Sequence, residues 1–165
     1  MVVNCPYQYS TRSDVGKFTR IDSQILTNSS DFAYLEGDVN VLIVDDNEMT
    51  RALLRSILSA EGYVVQAEAS NSKNGLEQML RIKPAIVFLD IQLPDGSGVD
   101  ILKQVMPDMP KMIVLMVTAM NDAETVKQCL SAGAKGFIIK PFNAGAVLKT
   151  VKDALTRAGL RPPKV

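Results

Sequence analysis

"NVLIVDDNEMTR", residues 40–51, sets four apolar residues, Val41 to Val44, directly before two adjacent carboxylates, Asp45 and Asp46. An apolar run without polar alternation marks a strand covered on both faces, as in a parallel sheet held between layers of helices. Three more such runs follow, Ala85–Leu89, Met112–Val117 and Phe137–Ile139, with a weaker one at Tyr63–Ala67. The stretches between them have helical period. Residues 48–60 carry Met49, Leu53, Leu54, Ile57 and Leu58 as one stripe ending at Gly62, and residues 143–158 carry Val147, Leu148, Val151 and Leu155. Shorter helices are predicted over 73–82, 98–105 and 122–132, the last closed by Gly133. The pattern is five βα units, an α/β fold with a parallel sheet.

The groups that follow the runs carry the chemistry. Asp45 and Asp46 follow the first, Asp90 the third, Thr118 the fourth and Lys140 the fifth. Ligands of open parallel sheets bind in the crevice at the carboxyl ends of the strands, so these side chains are expected to converge. The second strand ends in Glu68 and Ser70 with no comparable group, which fits a strand at the sheet edge. Each residue has an ordinary explanation when taken singly. Asp46 beside Asn47 fits a helix cap, Asp90 a turn before "PDG", Thr118 a cap and Lys140 a surface lysine. Together, three carboxylates at one crevice repel one another unless a cation sits among them. A hard divalent ion such as Mg2+, which takes oxygen ligands and keeps room for a phosphate oxygen, answers that need. One carboxylate is then left as a nucleophile toward phosphorus, with a lysine ammonium and a threonine hydroxyl to meet the phosphoryl oxygens.

Composition narrows the rest. A chain of 165 residues with 47% hydrophobic content is long enough for one ordinary domain plus an extension. Lys and Arg number 18 against 18 Asp and Glu, so no global field draws the chain to nucleic acid or an anionic membrane. Apolar runs fall short of the roughly 20 residues that span a bilayer. Cys5 and Cys129 lie far apart and no basic, apolar leader opens the chain, so the expected compartment is the cytoplasm. Histidine is absent, which excludes Ser-His-Asp and Cys-His catalysis, His-ligated zinc and a phosphohistidine on this chain. Any phosphoryl donor must come from outside.

In "VDD", "LD", "VTA" and "KPF", in this order and at these strand ends, residues 39–158 resemble a response-regulator receiver domain of bacterial two-component signalling, similar to the single-domain chemotaxis type. The resemblance implies a flavodoxin-like, doubly wound, five-stranded parallel sheet in the order 2-1-3-4-5 with five helices. It implies a signalling switch rather than an enzyme, a phosphoprotein that catalyses only its own phosphorylation and dephosphorylation. Asp90 becomes the phosphoacceptor, and Asp45, Asp46, Asp90 and the backbone carbonyl of Gln92 the Mg2+ ligands. Thr118 is the switch hydroxyl, Lys140 the phosphoryl-binding lysine, Pro141 a cis-proline, and Phe137 the aromatic that turns inward on phosphorylation. Gln92 and Met120 stand where the phosphoryl lifetime is tuned; Met120, being apolar, cannot orient an attacking water, so Gln92 is the one expected to matter. The implied partners are a histidine kinase or histidine phosphotransfer protein and a protein target on the face made by helix 122–132, strand 135–139 and helix 143–158.

Residues 1–38 lie outside the resemblance. They hold Tyr7, Tyr9, Phe18, Phe32 and Tyr34, five of the nine aromatics of the chain, which suits an arm that docks on its own receiver, a second copy in a homodimer, or a partner. Ser30 or Asp31 is a faint helix cap, and residues 159–165 form a basic, proline-containing tail or the stub of a linker to a missing output domain. No nucleic-acid module fits in what remains. Cys129 is expected as a half-buried structural thiol. Three rivals are weaker. A phosphohydrolase of the haloacid dehalogenase type needs an Asp two residues after the nucleophile, where this chain has Gln92. An FMN carrier of the same fold needs a first loop that welcomes phosphate, whereas Asp45, Asp46 and Glu48 repel it. A scaffold that is never phosphorylated has no need of the full set of polar groups.

Overall fold

Strand β1 (Asn40–Val44) sends its side chains alternately to two sides, and both sides are buried. The computed structural model describes residues 39–119 and 122–163. After β1 come α1 (Glu48–Ala60), β2 (Val64–Ala69), α2 (Ser72–Ile82), β3 (Ile86–Asp90), a two-stranded hairpin of β4 (Gln92–Leu93) and β5 (Gly96–Ser97), α3 (Gly98–Val105), β6 (Ile113–Thr118), α4 (Ala123–Ser131), β7 (Gly136–Ile139) and α5 (Ala144–Arg157). The main sheet has five parallel strands in the order β2-β1-β3-β6-β7. Leaving out the short hairpin, that is the expected order 2-1-3-4-5, with the second strand at an edge. The β4–β5 hairpin, built on "QLPDGS", is not part of the sequence-based expectation.

Alternation along the strands divides the core in two. Val41 and Ile43 of β1, Ile86 and Phe88 of β3, and Ile113 and Leu115 of β6 pack with α1 and α5 residues such as Leu54, Leu58, Val151 and Leu155. Their neighbours Leu42, Val44, Val87, Leu89, Val114 and Met116 face the other way, against Met79 of α2, Leu102 of α3 and Cys129 of α4. Each fully buried aliphatic side chain contributes roughly 1.5–3 kcal/mol relative to exposure, so the sheet is fixed from both sides. Each helix among the described residues opens with a side chain that accepts an otherwise unpaired amide: Asn47 from Thr50, Asn71 from Asn74, Ser97 from Val99, Asp122 from Thr125 and Asn143 from Ala146. The cap of α1 is therefore Asn47, not Asp46, and Thr118 ends β6 rather than capping a helix. Gly133 follows α4 at φ 107, a backbone conformation that side chains with a Cβ avoid.

Two expectations need correction. The stripe predicted on α1 is split: Leu54, Ile57 and Leu58 are buried, but Met49 is 77% and Leu53 47% exposed. At about 100° per residue the first three share one arc of the helix, and Met49 and Leu53 fall beyond its edge. Cys129 is fully buried rather than half-buried, because it points into the sheet while its neighbour Leu130 faces outward. Leu160, in the predicted tail, packs against the α1–α5 side of the core. The predicted arm over residues 1–38, with Cys5, and the predicted tuning residue Met120 lie outside the described residues.

Candidate functional site

Register assembles the site. Val44 pairs with Leu89, so the next residues, Asp45 and Asp90, leave neighbouring strands side by side. Asp90 pairs with Val117, which sets Thr118 one position beyond, and Thr118 pairs with Ile139, which sets Lys140 one beyond that. The Lys140 backbone N–H donates to the Thr118 carbonyl at 2.9 Å and ties the last two strand ends together. Asp45, Asp90 and Thr118 are the buried polar or charged residues of the described core, and all three lie at this end of the sheet.

The Lys140 ammonium bridges the two buried carboxylates, with Nζ 2.7 Å from Asp45 Oδ2 and 2.5 Å from Asp90 Oδ2. The contact to Asp90 is a directed hydrogen bond, and at the buried Asp45 Oδ2 the same ammonium forms a close ion pair. The other oxygens are held by main chain: Asn47 N–H donates to Asp45 Oδ1 at 2.9 Å and Gln92 N–H to Asp90 Oδ1 at 3.1 Å. Asp90 thus starts a turn and faces the crevice at once. Burial pushes the Asp45 carboxyl pKa up, against the opposing pull of the Lys140 ammonium. Burial alone would depress the Lys140 pKa, but the carboxylates of Asp45 and Asp90 outweigh it and hold the ammonium above its ordinary range. Lys140 is no free surface lysine.

Asp46 stands exposed at the mouth, and Asp45, Asp46 and Asp90 each offer an oxygen within 4.8 Å of the others. One ammonium does not neutralise three carboxylates. Three carboxylates with a single ammonium between them fit an oxygen-preferring divalent cation. Of the remaining predicted residues, Gln92 is exposed on β4 next to Asp90, and Phe137 is half-buried on β7 against the α2–α4 side of the core. The Lys140–Pro141 peptide bond is cis.

Four residues that shape the site are absent from the sequence-based set. Arg51, in the first turn of α1, donates from Nη1 to the carbonyl oxygens of Asp45 (2.8 Å) and Asp46 (3.2 Å). Glu68 accepts from Arg51 Nε at 3.3 Å and also pairs with Arg55. Asp95 reaches from the β4–β5 turn to the start of α2, where its carboxylate accepts from the N–H groups of Ser72 (2.6 Å) and Lys73 (3.1 Å). The Ser72 amide leads the groups that hold the Asp95 carboxyl below its ordinary pKa. Gly98 begins α3 so close to the Asp90 carbonyl that a Cβ there would lie 2.0 Å from the oxygen. Of these, Gly98 had a local signal, the glycine-rich "PDGSG"; the other three act across the fold.

This order of strand ends and side chains has known counterparts. The family model of the response regulator receiver domain matches residues 41–152, more than half of the chain. The chain belongs to the response-regulator receiver family. The receiver is 37% identical over 111 residues to the chemotaxis protein CheY of Thermotoga maritima, covering 67% of this chain and 92% of that one. It is 36% identical to CheY of Listeria monocytogenes, over 70% of this chain and 98% of that one. Among solved structures, a CheY-like receiver domain protein from Methanospirillum hungatei superposes with a TM-score of 0.70 at 30% identity, covering 74% of this chain and 98% of that one. A complex of CheX, CheY, BeF3 and Mg2+ from Borrelia burgdorferi gives 0.68 at 33% identity, covering 70% and 88%. Among the described residues, no helix of the receiver is long and apolar enough to cross a membrane.

Proposed function

We infer that the receiver is a phosphorylatable response regulator. It accepts a phosphoryl group on Asp90 from a histidine kinase or histidine phosphotransfer protein and then changes the face it offers to a protein target. The observation that carries this reading is the Lys140 ammonium set between Asp45 and Asp90 inside a cluster of three carboxylates. The acceptor is the Asp90 carboxylate: one oxygen forms the new bond to phosphorus as the bond from phosphorus to the donor nitrogen breaks, and the donor imidazole keeps that electron pair. Lys140 Nζ, already at Asp90 Oδ2, meets the incoming phosphoryl oxygens as a point charge. The Thr118 hydroxyl, one register position beyond the Asp90 pair, donates to another. Asp45, Asp46, Asp90 and the Gln92 carbonyl would hold Mg2+, which supplies neutralisation of the charge gathered around the transferring group.

The readout follows from what moves. Drawing Thr118 toward the phosphoryl group vacates space beside β6, and the half-buried Phe137 turns into it. Phosphorylation shifts the population of this face between two arrangements. Leu130 of α4 and Ile139 of β7 are exposed there, at 53% and 40%, and suit an apolar contact with a target. Residues 39–158 make up the receiver, with residues 1–38 as an extension whose aromatics suit a protein contact. Beryllofluoride with Mg2+ mimics an acyl phosphate, and the CheX–CheY complex of Borrelia burgdorferi contains both. Amide NMR of this chain with the same additives should shift Asp45–Asn47, Asp90–Gln92, Thr118, Phe137 and Lys140. A spectrum unchanged at these positions contradicts the proposal.

A further inference from the structure

Arg51 belongs to neither the proposed metal ligands nor the phosphoryl-binding groups, yet it grips the main chain that carries two of them. One guanidinium nitrogen, Nη1, donates to both successive carbonyls, those of Asp45 and Asp46, and the side chain is only 16% exposed. Two carbonyls aimed at one donor fix two consecutive peptide planes, and with them the directions in which both carboxylates leave the backbone. The rest of the loop is held by Asp45 N–H to the Ala69 carbonyl (3.0 Å) and by Asn47 N–H to Asp45 Oδ1. Nothing among these bonds holds the exposed Asp46, which repulsion from Asp45 and Asp90 would push outward. Glu68 completes the device. By pairing with Arg51 Nε it both aims the guanidinium and offsets its charge, so the grip adds little positive potential beside a cation site.

We propose that Arg51, aimed by Glu68, is a positioning residue that sets the Asp45–Asp46 main chain so that both carboxylates converge before any cation binds. The proposal rests on reading the acidic cluster as an Mg2+ site. Partners that orient metal ligands typically alter affinity about 10- to 100-fold when removed. The test uses the full chain and its Arg51→Ala, Arg51→Lys and Glu68→Gln variants, at a temperature where circular dichroism shows each folded. In metal-free buffer, exchange of the Asn47 amide, which donates to Asp45, should accelerate at least about tenfold in Arg51→Ala while β3 and β6 amides keep their protection. By calorimetry, Mg2+ alone should bind Arg51→Ala about 10- to 100-fold more weakly than the parent. Glu68→Gln should fall between them, and Arg51→Lys should recover only part of the affinity, because an ammonium cannot reach both carbonyls and Glu68 with a planar fork. A purely structural role would lower the melting temperature and leave the Mg2+ affinity of the folded protein alone. Arg51→Ala with Asn47 exchange and Mg2+ affinity both within about twofold of the parent overturns the proposal. If the parent itself binds no Mg2+, the metal reading fails, and the exchange result alone decides whether Arg51 sets the loop.

Discussion

Gly98→Ala should damage fold and site together. The added Cβ would sit 2.0 Å from the Asp90 carbonyl oxygen, 2.9 Å from its carbon and 3.1 Å from Leu89 Cγ. Carbon–oxygen contacts open at about 3.3 Å, so the Asp90 peptide and the start of α3 must separate by about 1.3 Å. Neither is the end of a flexible side chain, and the separation stretches the Gly98 N–H bond to the Ile91 carbonyl, now 2.9 Å. Overpacking typically costs about 1–3 kcal/mol and the lost bond about 0.5–1.5 kcal/mol. The better helix propensity of Ala returns up to about 1 kcal/mol. A net loss of about 2–3 kcal/mol lowers the urea midpoint by about 1 M or more for a protein of this size. Unfolding followed by circular dichroism reads this directly, since the chain has no tryptophan. Gly145→Ala is the matched control: it lies in the first turn of α5, a Cβ there meets only Asn143 Oδ1 at 3.3 Å, and it should be neutral or slightly stabilising. A Gly98→Ala midpoint within about 0.2 M of the parent would mean that the Asp90 carbonyl and α3 separate at almost no cost, which refutes the packing argument.

Other outcomes follow from the same contacts. Lys140→Met removes the ammonium from two buried carboxylates; because that ammonium is 21% exposed, the loss in metal-free urea melts should be about 1–3 kcal/mol, below the roughly 3–5 kcal/mol of a fully buried pair. Mg2+ should then stabilise the variant at least as much as the parent, and a variant as stable as the parent without metal counts against the bridging role. Asp95→Asn keeps a cap acceptor at α2 but loses the charge. The folded-state pKa of Asp95 lies below its ordinary value of 3.8, so its contribution is present above that pH and is lost as the pH falls through the lower folded value. The parent's advantage over Asp95→Asn in melting temperature should therefore hold at pH 6–7 and close below about pH 4, whereas an advantage that grows on acidification contradicts the assignment. Gln92→Ala should change the decay rate of the phosphorylated protein, followed after removal of the phosphodonor; a decay matching the parent removes Gln92 as the residue that tunes it.

The strand ends were legible because a parallel sheet turns local order into spatial order. Asp45, Asp90, Thr118 and Lys140 each follow an apolar run, and in-register pairing brings them together whatever the intervening helices do. Helix boundaries were equally local: the helices predicted over 48–60 and 98–105 have those bounds in the structure, and Gly133 marks the close of α4. What the sequence withheld depends on which elements the topology makes neighbours. Asp95 caps α2 from 23 residues away, and Glu68 meets Arg51 from 17, pairings that no periodicity encodes. Glu68 looked inert because β2 was expected to stop at Ala67; the strand runs to Ala69 and sets the carboxylate beside α1. Met49 and Leu53 matched the spacing of a stripe wider than the sheet could cover, so pattern alone could not tell which edge of it is buried.

Whether Asp90 takes up a phosphoryl group is read by intact-mass spectrometry after incubation with acetyl phosphate and Mg2+, with Asp90→Asn and metal-free samples alongside. One phosphoryl adduct should form on the parent and none in either control. An adduct that persists in Asp90→Asn, or forms equally well without divalent metal, contradicts the proposed function.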